Sequence, residues 1–375
     1  MHLDYLVTPS LITLGGALLA WVSMRRILSM QHKSLLRWRR ITASAILVVI
    51  TVFATAVAAT SGLNTIMLHH SHATMPGRTY SVDGHTMRLY CVGSGSPTLV
   101  LDAGLGSDGL IWGGVQPVLA KTTRVCSYDR AGLGWSDTLP PPRDADHVAH
   151  ELHRLLETAT IAGPIVLMGH SIAGIYIRAY ASLYPENLAG LIFLDSSTPM
   201  QQRNPAFRIR ETNVRMAWTQ LLLARAGYSM GLPRLVGACS FSSPGFEPQA
   251  ARLEGEAHCH QQVSASAAEL AGIESSGEET VDTGPYGAMP VLVLSRDNSR
   301  AATDSRMADV ETVWNQMQED LKKLSTRSRR IIARGSGHFI QLNRSALIEK
   351  EVPLFIERIR GTVPQPQDYG STTIE

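Results

Sequence analysis

Net charge is almost missing from this chain. Its 375 residues carry 34 Lys and Arg against 32 Asp and Glu, a balance of +2. A field of that size gives no footing for a nucleic-acid partner. Cysteine is scarce too. The four residues Cys91, Cys126, Cys239 and Cys259 include no pair at the C-x-x-C spacing of a zinc or redox motif. The opening "MHLDY" lacks the Lys or Arg that a cleavable signal peptide needs. Two long stretches, about 5–24 and 41–68, contain no charge at all. As helices, both are long enough to cross about 30 Å of hydrocarbon.

What lies between those stretches is strongly basic: Arg25, Arg26, Lys33, Arg37, Arg39 and Arg40. We therefore expect residues 1–70 to form a membrane hairpin with a basic loop. Basic loops stay cytoplasmic, so the rest of the chain is expected on the extracytoplasmic side of an inner or plasma membrane. An oxidising compartment permits disulfides. The expected bridge is Cys239–Cys259, closing a loop of about twenty residues worth roughly 3 kcal/mol. Cys91 and Cys126 sit in strand-like runs and are expected to be small buried hydrophobes.

The stretch "HHSHATMPGR" carries three histidines, and residues 71–78 within it read as a polar linker. Beyond them, "TYSVDG-HTMRLYCVG" reads as a hairpin turning at Asp83-Gly84. The apolar runs "PTLVLDAG", "TRVCSYDRAG", "PIVLMGHS", "GLIFLDSS", "MPVLVLSRD" and "RRIIARGSGH" then alternate with helical patterns. Near-continuous apolar strands alternating with helices predict an α/β fold whose mostly parallel sheet is covered on both faces. Residues 196–286 break this rhythm and read as a helical cap inserted over the sheet edge. His147, His150 and His153 lack partners spaced as metal ligands and read as surface residues. The stretch "TVWNQMQEDLKKLS" reads as an amphipathic surface helix, and residues 361–375 as a disordered tail.

The most informative junction is "IVLMGHSIAGIYIRAYASLYP", where a strand ends at Gly169 and a helix begins beyond Ser171. A strand that turns straight into a helix strains its corner residue, and small neighbours such as Gly169 and Ala173 relieve the crowding. The strain exposes the Ser171 hydroxyl beside free helix N-terminal amides, with Ile172 N–H aimed at a developing oxyanion. A serine nucleophile needs a base and the base an orienting carboxylate. His338 follows the last strand of this alternating series. Asp297 and Asp195 each follow a strand and belong at the same sheet edge.

From about Thr79 to Arg360 these blocks resemble the α/β-hydrolase fold family. The most specific are "VLDAGLGSDGLIW", "RVCSYDRAGLGWSD", "VLMGHSIAGIYIRAYASLYP" and "GSGHFIQLN". The resemblance implies an eight-stranded sheet, Ser171 as nucleophile and His338 as base. It implies Asp297 as the acid, with Asp195 as the alternative one strand earlier. It also implies a second oxyanion donor in "AGLGSDG", for which Leu105 N–H is the candidate. The motif departs from G-x-S-x-G, having Ala173 in the last place. Asp129 and Arg130 are expected to fix the loop after their strand, and Trp112 and Trp135 to pack beneath the site rim.

The expected function is thus a membrane-anchored serine hydrolase cleaving a small ester-like substrate through an acyl-enzyme, with no metal or organic cofactor. Peptide-cleaving and haloperoxidase-like activities are variants of that chemistry. Relatives that use an aspartate nucleophile, such as epoxide hydrolases, are disfavoured by Ser171. The competing reading is a non-catalytic, membrane-tethered module that kept the fold.

Overall fold

The computed structural model describes residues 4–30, 37–73, 75–199, 201–205, 207, 227, 232, 262–297, 305–366 and 370–374. Cys239, Cys259 and most of the expected cap lie outside the described residues.

The chain begins with two helices, α1 (Asp4–Met30) and α2 (Arg37–Ala73), packed against each other. Gly16 allows the close approach: a Cβ there would stand 3.0 Å from Ala54 O and 3.2 Å from Ala58 Cβ. The burial pattern is inverted relative to a soluble helix pair. Ser61 and Asn64 are 0% and 3% exposed, while Val49 and Phe53 are each 67% exposed. Among the described residues one segment, Ile41–Met67, is long and apolar enough to cross a membrane, where two were expected.

Strands β1 (Arg78–Val82) and β2 (His85–Val92) form the expected hairpin. They are followed by β3 (Thr98–Asp102), β4 (Val125–Tyr128), α3 (Ala145–Thr158), β5 (Ile165–His170), α4 (Ala173–Leu183) and β6 (Leu188–Leu194). Helices α5 (Gln262–Ala271) and α6 (Ile273–Thr280) precede β7 (Val291–Arg296), α7 (Ser305–Lys322) and β8 (Ser328–Ala333). The short α8 (Ile340–Asn343), the long α9 (Ser345–Arg360) and β9 (Ser371–Ile374) complete the chain.

The strands make one sheet in the order β1-β2-β4-β3-β5-β6-β7-β8-β9. Pairing is antiparallel at β1–β2 and β2–β4 and parallel elsewhere. The central strands are apolar throughout because both faces are covered. Ile165, Leu167, Leu191, Phe193, Val291 and Val293 enter one core with α3 and α4, whereas Val166, Met168, Ile192, Leu194, Leu292 and Leu294 enter the other with α9. This two-residue alternation is the pleat of the strand.

Three expectations are corrected. Among the described residues the sheet has nine strands instead of eight. The extra strand comes from the expected disordered tail: Ser371 to Ile374 pair in parallel with Arg330 to Ala333. The β-branched run Thr372-Thr373-Ile374 suits an edge strand, a local signal that the polar composition of the tail conceals. The described disulfide is Cys91–Cys126, not a pair of buried thiols. These cysteines are 35 residues apart but face each other in the β2–β4 register, a neighbour relation only the sheet creates. Finally, the end of the expected cap is part of the helical layer, since α6 packs on α3 and α4.

Candidate active site

The site stands at the carboxyl ends of β5, β6 and β7. Ser171 occupies the turn between β5 and α4 with φ +56°, a left-handed backbone that an L-residue adopts at a cost. The turn is stitched to the end of β6: Ser171 N–H donates to Leu194 O at 3.2 Å, and Ser197 N–H to Ser171 O at 2.7 Å. A Cβ on Gly169 would stand 2.7 Å from Ala173 O, so the crowding is against backbone. That explains why alanine serves at 173, whose methyl is not what Gly169 meets. Gly174 carries the other steric demand, since a Cβ there would lie 2.4 Å from Ser196 Cβ.

His338, in the loop between β8 and α8, points Nε2 at Ser171 Oγ over 3.0 Å. Its Nδ1 lies 2.6 Å from Asp195 Oδ2. Asp195 follows β6 at φ +42° and is fully buried. It accepts from Arg296 N–H at 3.0 Å, from Arg296 Nη1 at 2.8 Å and from Trp314 Nε1 at 2.9 Å. Burial alone would push this carboxyl up, yet the bonds from His338 and Arg296 hold it below the usual aspartate value. Asp195 thus has all its bonds organised around an ionised carboxylate. It is Asp195 that faces His338 Nδ1, where Asp297 was the acid first expected. The Oδ2 of Asp297 accepts Gly335 N–H at 2.9 Å and fastens the loop that leads to His338. At the end of β7 it is Arg296 whose side chain reaches the site.

His170 supports His338 from below. Its Nε2 lies 3.0 Å from His338 O, an acceptor, so Nε2 carries the proton and Nδ1 faces the Gln341 amide at 3.4 Å. Burial, then the charge of His338, pushes His170 down to about 3, which keeps the ring neutral.

The loop after β3 passes over the serine. A Cβ on Gly104 would come within 3.3 Å of Ser171 Cβ. Among the described residues the Leu105 and Ile172 amides have no protein acceptor in their turns, leaving both available to a ligand oxygen. Arg130 holds this loop by donating from Nη1 to Ala103 O at 2.6 Å and from Nη2 to Gly104 O at 2.7 Å. Its ion pairs are Asp102 and Glu269, both at 2.6 Å. Glu269 belongs to α5 and also accepts Gly106 N–H at 3.1 Å, so a helix from the expected cap region braces the loop. Asp129 ties Arg88, Gly109 N–H and Trp135 N–H together, the loop-fixing role expected of it. Trp112 is buried and edge-on to His170 at 6.5 Å, whereas Trp135 is buried with the Arg88 guanidinium 5.2 Å from its ring centroid.

Sequence reasoning missed the contribution of α7. Glu311, Trp314 and Gln318 are spaced to share one helix face. That face bonds Arg296, Asp195 and Ser196 O respectively. The available signal was the spacing of Glu311, Trp314 and Gln318, which puts an aromatic ring between two polar side chains on one helix face.

A serine hydroxyl bonded to an imidazole that a buried carboxylate orients is the arrangement that makes a hydroxyl nucleophilic. A family model described as "Alpha/beta hydrolase family" matches residues 99–350. A Gibberella zeae protein named "AB hydrolase superfamily protein" is 25% identical over 299 residues, covering 70% of this chain and 87% of that protein. The transporter-named efuK of Hormonema carpetanum is 26% identical over 318 residues, covering 78% of this chain and 44% of that protein. The chain spans less than half the length of the first curated relatives it matches. Among solved structures, an esterase from Thermogutta terrifontis superposes with a TM-score of 0.53 at 18% identity, covering 76% of this chain and 99% of that one.

Proposed function

Since the chain belongs to the alpha/beta hydrolase family, we propose that it is a serine hydrolase that cleaves a carboxylic ester through an acyl-enzyme. The observation that carries this reading is the hydrogen-bonded chain from Asp195 through His338 to Ser171, at 2.6 and 3.0 Å. His338 Nε2 takes the Ser171 proton as Oγ attacks the carbonyl carbon. Asp195 holds the proton on Nδ1 and stabilises the imidazolium. The Leu105 and Ile172 amides receive the oxyanion, each worth about 10²–10³ in rate. Collapse of the tetrahedral intermediate breaks the ester C–O bond, and His338 returns its proton to the departing alkoxide. Water, deprotonated by the same imidazole, then releases the acid and restores Ser171. Relatives that open epoxides or displace halide place an aspartate at the elbow, and a serine cannot take that role.

The domain is anchored to a bilayer by α2 with α1 packed against it. The inverted burial of that pair, apolar outside and polar within, is stable in lipid and costly in water. The catalytic domain lies on the extracytoplasmic side, opposite the basic loop, in keeping with the Cys91–Cys126 bridge.

A fluorophosphonate probe tests the chemistry. Purified full-length protein should be labelled, and Ser171→Ala should abolish labelling while leaving the circular dichroism spectrum intact. Folded wild type that takes up no probe and turns over no ester would establish the non-catalytic module instead.

A further inference from the structure

The serine-hydrolase reading leaves unexplained why a guanidinium is bonded to the carboxylate that orients the base. Arg296 approaches Asp195 twice, with its backbone N–H to Oδ1 at 3.0 Å and its Nη1 to Oδ2 at 2.8 Å. The same Nη1 is 3.4 Å from His338 Nδ1. The other edge of the fork pairs with Glu311, from Nε at 3.0 Å and Nη2 at 2.7 Å, and its carbon lies 4.5 Å from the Trp314 ring centroid. A guanidinium gripped on two edges and one face has no rotameric freedom left, so its charge sits at a fixed point beside the imidazole.

We propose that Arg296 is a positioning residue for Asp195, and that its charge, balanced by Glu311, sets the pH range in which Ser171 and His338 work. The inference rests on the serine-hydrolase reading above. Asp195 at the end of β6 places a negative charge against His338 Nδ1, Arg296 at the end of β7 places a positive one 3.4 Å from the same nitrogen, and Glu311 on α7 pairs with Arg296. His170, at the end of β5 with its ring centroid 4.7 Å from that of His338, stays neutral. Arg330 of β8 acts on Asp195 from farther off and is itself paired with Glu319 at 2.7 Å. Asp297 is engaged with Gly335 N–H. The three groups Asp195, Arg296 and Glu311 together carry one negative charge, as a lone acid would. The arrangement therefore keeps the net charge while fixing the acid rigidly.

Removing one flanking charge unbalances the set in a direction that depends on its sign. The measurement is kcat/KM against pH for a soluble p-nitrophenyl ester, with wild type, Arg296→Met, Glu311→Gln and the double variant. In Arg296→Met the acid limb should move up by about one pH unit, because the loss of a nearby cation makes imidazole protonation easier. In Glu311→Gln it should move down by about half a pH unit, and in the double variant it should return near wild type. Arg296→Lys should keep the limb but lose kcat, because a lysine cannot hold Asp195 and Glu311 at once. A brace without an electrostatic role would lower kcat and leave the limbs in place, so unmoved limbs, or limbs moving in the same direction, overturn the inference. If Arg296→Met does not fold, Glu311→Gln decides alone: its limb must move down. A wild type that neither labels nor turns over ester sinks the serine-hydrolase reading. An active wild type with unmoved limbs sinks this inference alone.

Discussion

The assignment of the acid is best tested by Asp195→Asn against Asp297→Asn. At 195 the two carboxylate oxygens do different things. Oδ1 accepts from Arg296 N–H and Trp314 Nε1, while Oδ2 accepts from Arg296 Nη1 and faces His338 Nδ1. Asparagine can keep the first pair with its carbonyl oxygen. Its NH₂ must then stand where Oδ2 stood, donor against donor. The imidazole escapes by moving its proton to Nε2, and in that tautomer Nε2 cannot accept from Ser171. The rate of ester turnover should fall by about 10³–10⁴, or roughly 4–5.5 kcal/mol of transition-state stabilisation. Stability should fall by about 1.5–3 kcal/mol, the worth of a charge-assisted bond, because Arg296 keeps Glu311. At 297 the bond from Gly335 N–H can pass to the asparagine carbonyl, and the imidazole keeps Asp195 on Nδ1. There the rate should change by less than about threefold and stability by less than about 1 kcal/mol. The assay is steady-state kcat on a short p-nitrophenyl ester, normalised to sites titrated with fluorophosphonate. A larger loss in Asp297→Asn than in Asp195→Asn would refute the tautomer argument.

Three other outcomes can be checked on the same protein. His170, pushed down to about 3 in the fold and near 6.5 when unfolded, leaves the folded state one proton short between those values. Stability is thus fully present above pH 6.5 and falls as pH drops. Glutamine at 170 keeps a donor for His338 O, so His170→Gln should lose about 2 kcal/mol less than wild type from pH 7 to pH 5 in denaturant unfolding. Reduction of Cys91–Cys126, which closes a loop of 35 residues, should lower the unfolding free energy by roughly 4 kcal/mol, read from urea midpoints with and without reductant. Glu269→Ala strips the buried Arg130 of one counter-ion and Gly106 N–H of its acceptor. It should destabilise by about 3–5 kcal/mol, and at temperatures where the protein stays folded kcat should still drop as the loop over Ser171 loosens.

Much of this molecule was legible as a string of residues. The central parallel strands, the hairpin at Asp83-Gly84 and the elbow at Ser171 follow from local rules: apolar runs, a turn dipeptide, and small residues around a cramped corner. These depend on neighbours within a few positions, which a sequence displays directly. His338 was also legible, as the histidine after a late strand where the α/β-hydrolase resemblance implies the base. The two apolar runs and the basic loop between them were equally plain, although only Ile41–Met67 retains a full span among the described residues.

What remained hidden depends on contacts between residues far apart in the chain. Asp195 and Asp297 each follow a strand at the same sheet edge, and only the parallel register of β6 and β7 decides which carboxylate meets the imidazole. The sheet also makes Cys91 and Cys126 neighbours across two strands and gives the tail an edge to pair with. The face of α7 that carries Glu311, Trp314 and Gln318 gains meaning once it is packed against the end of β6 and β7. Sequence alone determined the types of chemical group and the elements that carry them. Tertiary structure decided which groups touch, because hydrogen bonds and ion pairs act over about 3 Å and the chain brings such partners together only when it folds.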